Sequence, residues 1–205
     1  FSPSNYQNYT TEQINRNLPI WMTYEPGSTF KIITLAASLE EKIVDLENDN
    51  FFDGGAVTVG GATLHCWKHG GHGAQTYLQV VENSCNPGFV NLGLKLGKET
   101  LFNYIDLFGF GKKTGVDLNG ESTGIMFNIN KIGDLELATT AFGQGVSVTP
   151  IQQITAVSAA INGGILYKPY IVKSLNEPET NSVILENTPT VVRKVISDDT
   201  SKKVR

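Results

Sequence analysis

One stretch sets the terms for the rest of the chain. Glu25-Pro26-Gly27-Ser28-Thr29-Phe30-Lys31 runs directly into Ile32-Ile33-Thr34-Leu35-Ala36-Ala37-Ser38-Leu39-Glu40-Glu41. Pro26 biases Glu25 towards extended backbone, and Gly27 permits a tight entry. The apolar residues that follow fill nearly every face. The pattern predicts a loop breaking into a helix over 28–41 that is buried on most sides, so the remaining chain must wrap around it. Ser28 and Lys31 are three apart and share one side of the first turn. As an N-cap serine and a surface lysine, the pair would only start a helix. In a dry setting it has a chemical use. A serine hydroxyl is a weak nucleophile that needs a base. A lysine becomes that base near neutral pH when burial and the positive end of a helix dipole lower its pKa.

A chain of 205 residues can bury a real core as one large domain or two small ones. A net charge of −4 and the lack of a Lys/Arg block exclude a nucleic-acid surface. No apolar run is long enough to span a bilayer, and no signal peptide is visible. In order, the sequence predicts a polar leading segment over 1–24, with Trp21 and Met22 packed under the serine loop. A connector follows over 42–52, turning at Asn48-Asp49-Asn50. A glycine-rich stretch over 53–73 holds a hairpin turning at Gly60-Gly61. Helices are expected over 75–83, from Pro87 to about 96, over 99–108, over 134–142 and after the cap Thr149-Pro150. Strands over 165–175 and 182–186 flank a turn at Asn176-Glu177-Pro178, and Ser197-Asp198-Asp199 opens a last helix.

Two further clusters carry chemistry. All the histidines and one cysteine fall in His65-Cys66-Trp67-Lys68-His69-Gly70-Gly71-His72, a spacing with zinc-ligand character. On a strand, His65 and Cys66 would face opposite ways. That favours Cys66, His69 and His72 as ligands, with Asp53 as a fourth; the alternative is a glycine-rich loop with exposed histidines. Ser84-Cys85-Asn86 falls on a tight turn between helices, where Ser and Asn are favoured in any case. Beside Ser28 and Lys31, however, it would supply a hydroxyl to relay protons and an amide to hold a substrate carbonyl.

With these motifs in hand, the chain resembles the transpeptidase domain of class B penicillin-binding proteins over nearly its whole length. Tyr24-Glu25-Pro26-Gly27-Ser28-Thr29-Phe30-Lys31 looks like the family's nucleophile motif. His72-Gly73, Ser84-Cys85-Asn86, Thr114-Gly115-Val116-Asp117-Leu118, Gly120-Glu121 and Phe142-Gly143-Gln144-Gly145 through Thr149-Pro150-Ile151-Gln152 match its landmarks in order. Cys66-Trp67 with Gly70-Gly71-His72-Gly73, and Asn83-Ser84-Cys85-Asn86-Pro87-Gly88-Phe89, point to its spore-cortex branch.

The resemblance implies an α+β fold of the penicillin-binding protein/serine β-lactamase type, a helical subdomain against an antiparallel sheet. Residues 1–205 would form part of the transpeptidase domain: the leading segment 1–24, a mainly helical part over 25–164 and the start of the sheet part over 165–205. It also implies attack by Ser28 on the penultimate D-alanine carbonyl of a peptidoglycan stem peptide, with Lys31 as base, Ser84 in the proton shuttle and Asn86 on the substrate amide. No cofactor is required for that chemistry. β-Lactams and a membrane glycan polymerase are the other partners implied. So are a membrane anchor and pedestal domain outside this chain, and a location outside the cytoplasm, in the space between the forespore membranes.

Lys113-Thr114-Gly115 spells the family's third motif but aligns with a loop landmark. The true motif is therefore expected beyond Arg205, and the chain to Arg205 is expected to be inactive alone. Cys66 and Cys85 would both lie near the cleft, so a disulfide is expected to compete with zinc for Cys66; simple packing of Cys85 is the alternative. Class D β-lactamases share the pattern Pro26-x-Ser28-Thr29-Phe30-Lys31 but carry valine where Asn86 stands. A non-catalytic scaffold or β-lactam sensor would not need the intact set Ser28, Lys31, Ser84 and Asn86.

Overall fold

The structure is a computed structural model and describes residues 7–11 and 16–205; the rest of the expected leading segment lies outside the described residues. Helix α1 (Leu18–Trp21) buries only Ile20. Trp21 and Met22 are each 42% exposed, so they do not pack under the serine loop; Ile20 is the residue this helix buries. A 3-10 turn, Gly27–Phe30, leads into α2 (Lys31–Glu40). The predicted helix over 28–41 is present, with its first turn wound more tightly.

Eight of the ten α2 residues are buried. Its two flanks feed two core clusters. Phe30, Ile33, Ala36 and Ala37 pack with Leu101, Phe108, Ala156 and Ile196. Leu35 and Leu39 pack with Tyr77, Phe89, Leu92 and Ala138. Burying each Leu, Ile or Phe contributes about 1.5–3 kcal/mol. The helix's buried hydroxyls are satisfied: Thr34 Oγ1 donates to the Ala141 carbonyl and Ser38 Oγ to the Thr34 carbonyl, both at 2.8 Å.

Among the described residues, four antiparallel two-stranded ribbons accompany the helices. β1 (Asn50–Asp53) pairs with β4 (Gly73–Thr76). The end of the expected connector is thus a strand, and the expected helix over 75–83 begins only after one. β2 (Ala56–Val59) and β3 (Ala62–His65) form the predicted hairpin, with Gly60 and Gly61 at φ 56° and 81°, the two left-handed positions a two-residue hairpin turn demands. α3 (Tyr77–Glu82) starts at a capping box made by Thr76 and Gln79. α4 (Asn86–Leu107) breaks at Gly97 (φ 75°, ψ 164°), close to the boundary expected between two helices. After a short 3-10 turn (Ile129–Lys131), α5 (Asp134–Ala141) and α6 (Pro150–Ile161) complete the helical part.

β5 (Ile165–Lys168) pairs with β8 (Thr190–Lys194), and β6 (Ser174–Asn176) with β7 (Val183–Glu186). The expected single pair is therefore two ribbons. Ser197 caps α7 (Asp198–Val204) as predicted. Glu40, at the end of α2, accepts from Ser197 N–H and Oγ at 3.0 and 2.8 Å, tying α7 to the central helix. No helix among the described residues is long and apolar enough to cross a membrane.

Candidate active site

Ser28 lies in the 3-10 turn, one turn ahead of Lys31. Side chains at i and i+3 eclipse in that geometry, so the winding sets Ser28 and Lys31 on one side of the turn. The turn is held from both sides. Gly27 N–H donates to the Gly143 carbonyl at 2.9 Å, Gln153 Nε2 to the Thr29 carbonyl at 2.9 Å, and Gly145 N–H to Glu25 Oε1 at 2.9 Å. A Cβ on Gly143 would meet the Gly27 carbonyl oxygen at 2.2 Å. The Gly143-Gln144-Gly145 landmark therefore acts as the bed on which the serine turn lies.

Ser28 is exposed, whereas Lys31 is 4% exposed. The Lys31 ammonium donates to Ser84 Oγ at 2.9 Å, to the Ser84 carbonyl at 2.7 Å and to Asn86 Oδ1 at 2.7 Å. It also lies 5.2 Å from the centroid of the Phe89 ring. The structure thus joins three of the four predicted catalytic residues directly, and the Ser28 hydroxyl is not among the Lys31 acceptors. Burial pulls Lys31 down from 10.5 to about 8, against a smaller upward pull from Cys85 and Cys66.

Ser84 has φ 48°, an uncommon conformation for a residue with a side chain. It turns the chain between α3 and α4 and presents both its hydroxyl and its carbonyl to Lys31. Asn86 Nδ2 donates to the His65 carbonyl at 3.2 Å, which fixes the amide and leaves its second N–H for a ligand. Neither Phe89 nor the His65 carbonyl is given a role at this site by the sequence. The first is one turn beyond Asn86, a spacing that could have flagged it; the second acts through its backbone, which no motif reports.

Next to this loop, Asp53, Cys66, His72 and Cys85 converge, their ligand atoms all within 4.8 Å of one another. His72 Nδ1 lies 2.8 Å from Asp53 Oδ2 and 3.4 Å from Cys66 Sγ, and Cys85 Sγ donates to Asp53 Oδ2 at 3.3 Å. Asp53, Cys66 and His72 meet as expected. His69 is exposed and outside the group; Cys85, 0% exposed, stands where it was expected. The reason is the loop: the chain turns at Gly70 and Gly71, both at φ 79°, and only His72 comes back inward. Both cysteines are free thiols. Burial pushes Cys85 up to about 12 and raises Cys66 as well. Burial alone would raise Asp53, but hydrogen bonds from Cys66, His72 and the Gly55 N–H outweigh it and hold the carboxyl well below the usual range. Two sulfurs, an imidazole and a carboxylate are a donor set suited to Zn²⁺.

Lys113-Thr114-Gly115 lies in a loop wrapped around the Glu121 carboxylate, which accepts from Thr114 N–H, Thr114 Oγ1 and Gly115 N–H at 2.6, 2.6 and 3.1 Å. The tripeptide is committed to that loop, in line with its reading as a landmark.

The whole chain, residues 1–205, matches the penicillin binding protein transpeptidase domain. It is 62% identical over 205 residues to stage V sporulation protein D of Bacillus subtilis, covering all of this chain and 32% of that protein. It is 32% identical over 183 residues to penicillin-binding protein PbpB of Mycobacterium tuberculosis, covering 89% of this chain and 26% of that protein. The chain therefore spans about a third or less of these relatives. Among solved structures it is similar to penicillin binding protein 3 of M. tuberculosis complexed with aztreonam (TM-score 0.84, 30% identity, 92% of this chain and 42% of that one). It is also similar to the D,D-transpeptidase domain of a peptidoglycan glycosyltransferase from Eggerthella lenta (TM-score 0.85, 28% identity, 94% and 51%).

Proposed function

Because the chain belongs to the penicillin-binding protein transpeptidase family, we propose that it is the nucleophile-bearing part of a serine D,D-transpeptidase that cross-links peptidoglycan stem peptides. The observation that carries this reading is Lys31: buried, lowered to about 8 and bonded to Ser84 and Asn86. Ser28 Oγ attacks the carbonyl of the penultimate D-alanine while neutral Lys31 takes its proton. Ser84 passes a proton to the departing amine of the terminal D-alanine. An amine of a second stem peptide then takes the acyl group and frees Ser28. Asn86 holds the donor's amide with its spare N–H. β-Lactams acylate the same serine; one neighbour in fold, penicillin binding protein 3 of M. tuberculosis, is solved both with aztreonam and with ampicillin.

The likeness to a sporulation protein supports a role in the spore cortex, with the site outside the cytoplasm, an anchor in the membrane and a membrane glycan polymerase as partner. The test is fluorescent-penicillin labelling of the full-length protein with Ser28→Ala as control. Stable label on Ser28 is expected. Brief label with release of hydrolysed drug would make it a β-lactamase, and no label at all a scaffold.

Asp53, Cys66, His72 and Cys85 hold a structural Zn²⁺ in this reading, which when bound braces the Ser84 turn through Cys85 and the hairpin through Cys66. Elemental analysis of the full-length protein, purified with reductant and without chelator, should find zinc in the wild type and not in Cys66→Ala. Thiol alkylation read by mass, with and without reductant, separates the alternatives. Two blocked thiols that reductant frees mean a Cys66–Cys85 disulfide, and two free thiols without metal refute the zinc assignment.

A further inference from the structure

Trp67 is 66% exposed, yet it is clamped at both ends. Its indole N–H donates to the Asn83 carbonyl at 2.8 Å, and its ring meets the His72 imidazole at 5.3 Å and 67°. The only polar atom of the side chain is therefore used inside the protein, and what faces water is apolar. A single exposed aromatic residue is ordinary. A rigid one tied to the loop that carries Ser84 and Asn86 is a low-entropy contact surface.

Its position follows from a closed circuit. Lys31 Nζ donates to Asn86 Oδ1 and Asn86 Nδ2 to the His65 carbonyl. Two residues along the chain is Trp67, whose N–H reaches the Asn83 carbonyl. The next residue is Ser84, whose Oγ returns to Lys31. The indole is thus held against the same loop that offers Ser84 and Asn86 to the cleft, on the side where Asn86 is anchored.

We infer that Trp67 is a specificity-determining wall of the acyl-donor site. Its face receives the apolar substituent that lies beyond the amide held by Asn86. This rests on the proposed role of Asn86. The class of donor it favours carries an aromatic or long aliphatic group on the acyl side of that amide, and a donor without one gains nothing from it.

The test compares acylation of the full-length protein by benzylpenicillin, which carries a phenylacetamido group, and by 6-acetamidopenicillanic acid, which keeps the amide and ends in a methyl. In Trp67→Ala the ratio of the two second-order rate constants should fall about five- to tenfold, the size of one aromatic contact. Trp67→Gln offers an N–H to the Asn83 carbonyl without a ring and should lose the ratio as alanine does, which covers the case where the alanine variant fails to fold. A ratio unchanged in both variants, whatever the absolute rates, would confine Trp67 to bracing Asn83 and overturn the inference. Absence of acylation in the wild type would instead refute the transpeptidase reading.

Discussion

The depressed pKa of Lys31 makes a quantitative prediction. With the amine at about 8, about one in eleven molecules holds it neutral at pH 7. At its ordinary 10.5 the neutral share would be about 0.03%, some 300-fold less. The second-order rate of acylation by a β-lactam should therefore rise about tenfold per pH unit below neutrality, bend near pH 8 and level off above about pH 9. Asn86→Asp places a carboxylate where Oδ1 now lies, 2.7 Å from the ammonium. An opposite charge that close favours the protonated amine and should move the bend upward by about one to three units. The position of the bend is the readout, since Asn86 also contributes to binding. Stopped-flow acylation of the full-length protein from about pH 6 to about pH 9.5 measures it. A wild-type rate still climbing about tenfold per pH unit at about pH 9.5, or a bend that Asn86→Asp leaves near pH 8, would refute Lys31 as the desolvated base.

Other consequences can be checked on the full-length protein. Gly143→Ala puts a Cβ 2.2 Å from the Gly27 carbonyl oxygen at φ +82°. It should cost at least about 2 kcal/mol in denaturant unfolding and slow acylation by shifting the serine turn. Glu40→Ala removes the acceptor for Ser197 and should cost about 1 kcal/mol. Burial would raise this carboxyl, but hydrogen bonds from Thr200 and Ser197 prevail and hold it below 4.5. Its contribution is thus present above pH 4.5 and lost as pH falls through the lower folded value, so the Tm gap to the wild type should close in acid. Leu92→Ala, at a fully buried position, should cost about 2–5 kcal/mol in the same unfolding assay without moving the acylation bend.

Much of this architecture was legible because local chemistry agreed with the final packing. Thr149 with Pro150, Ser197 with its acidic first turn, and Gly60-Gly61 all act within a few residues of themselves, and the structure keeps them. What escaped the sequence depends on distant partners. Asn50–Asp53 is a strand because Gly73–Thr76 lies beside it, and Thr190–Lys194 because Ile165–Lys168 does. Neither segment alternates clearly by itself. The same holds at the site: Ser28, Lys31, Ser84 and Asn86 stand out by spacing, but the exchange of His69 for Cys85 turns on which way two glycines bend a loop.

The lysine's three acceptors are not equivalent. The Ser84 carbonyl and Asn86 Oδ1 can only accept, while Ser84 Oγ can also give a proton. When the ammonium loses a proton, its two remaining hydrogens suit the two pure acceptors, and the lone pair is left facing a hydroxyl. Deprotonation thus reverses the direction of a single bond and leaves the rest of the cage in place. Under the proposed role of Lys31 as base, the switch from ammonium to amine needs no moving loop, and the asymmetry of its surroundings sets the path along which charge is relayed.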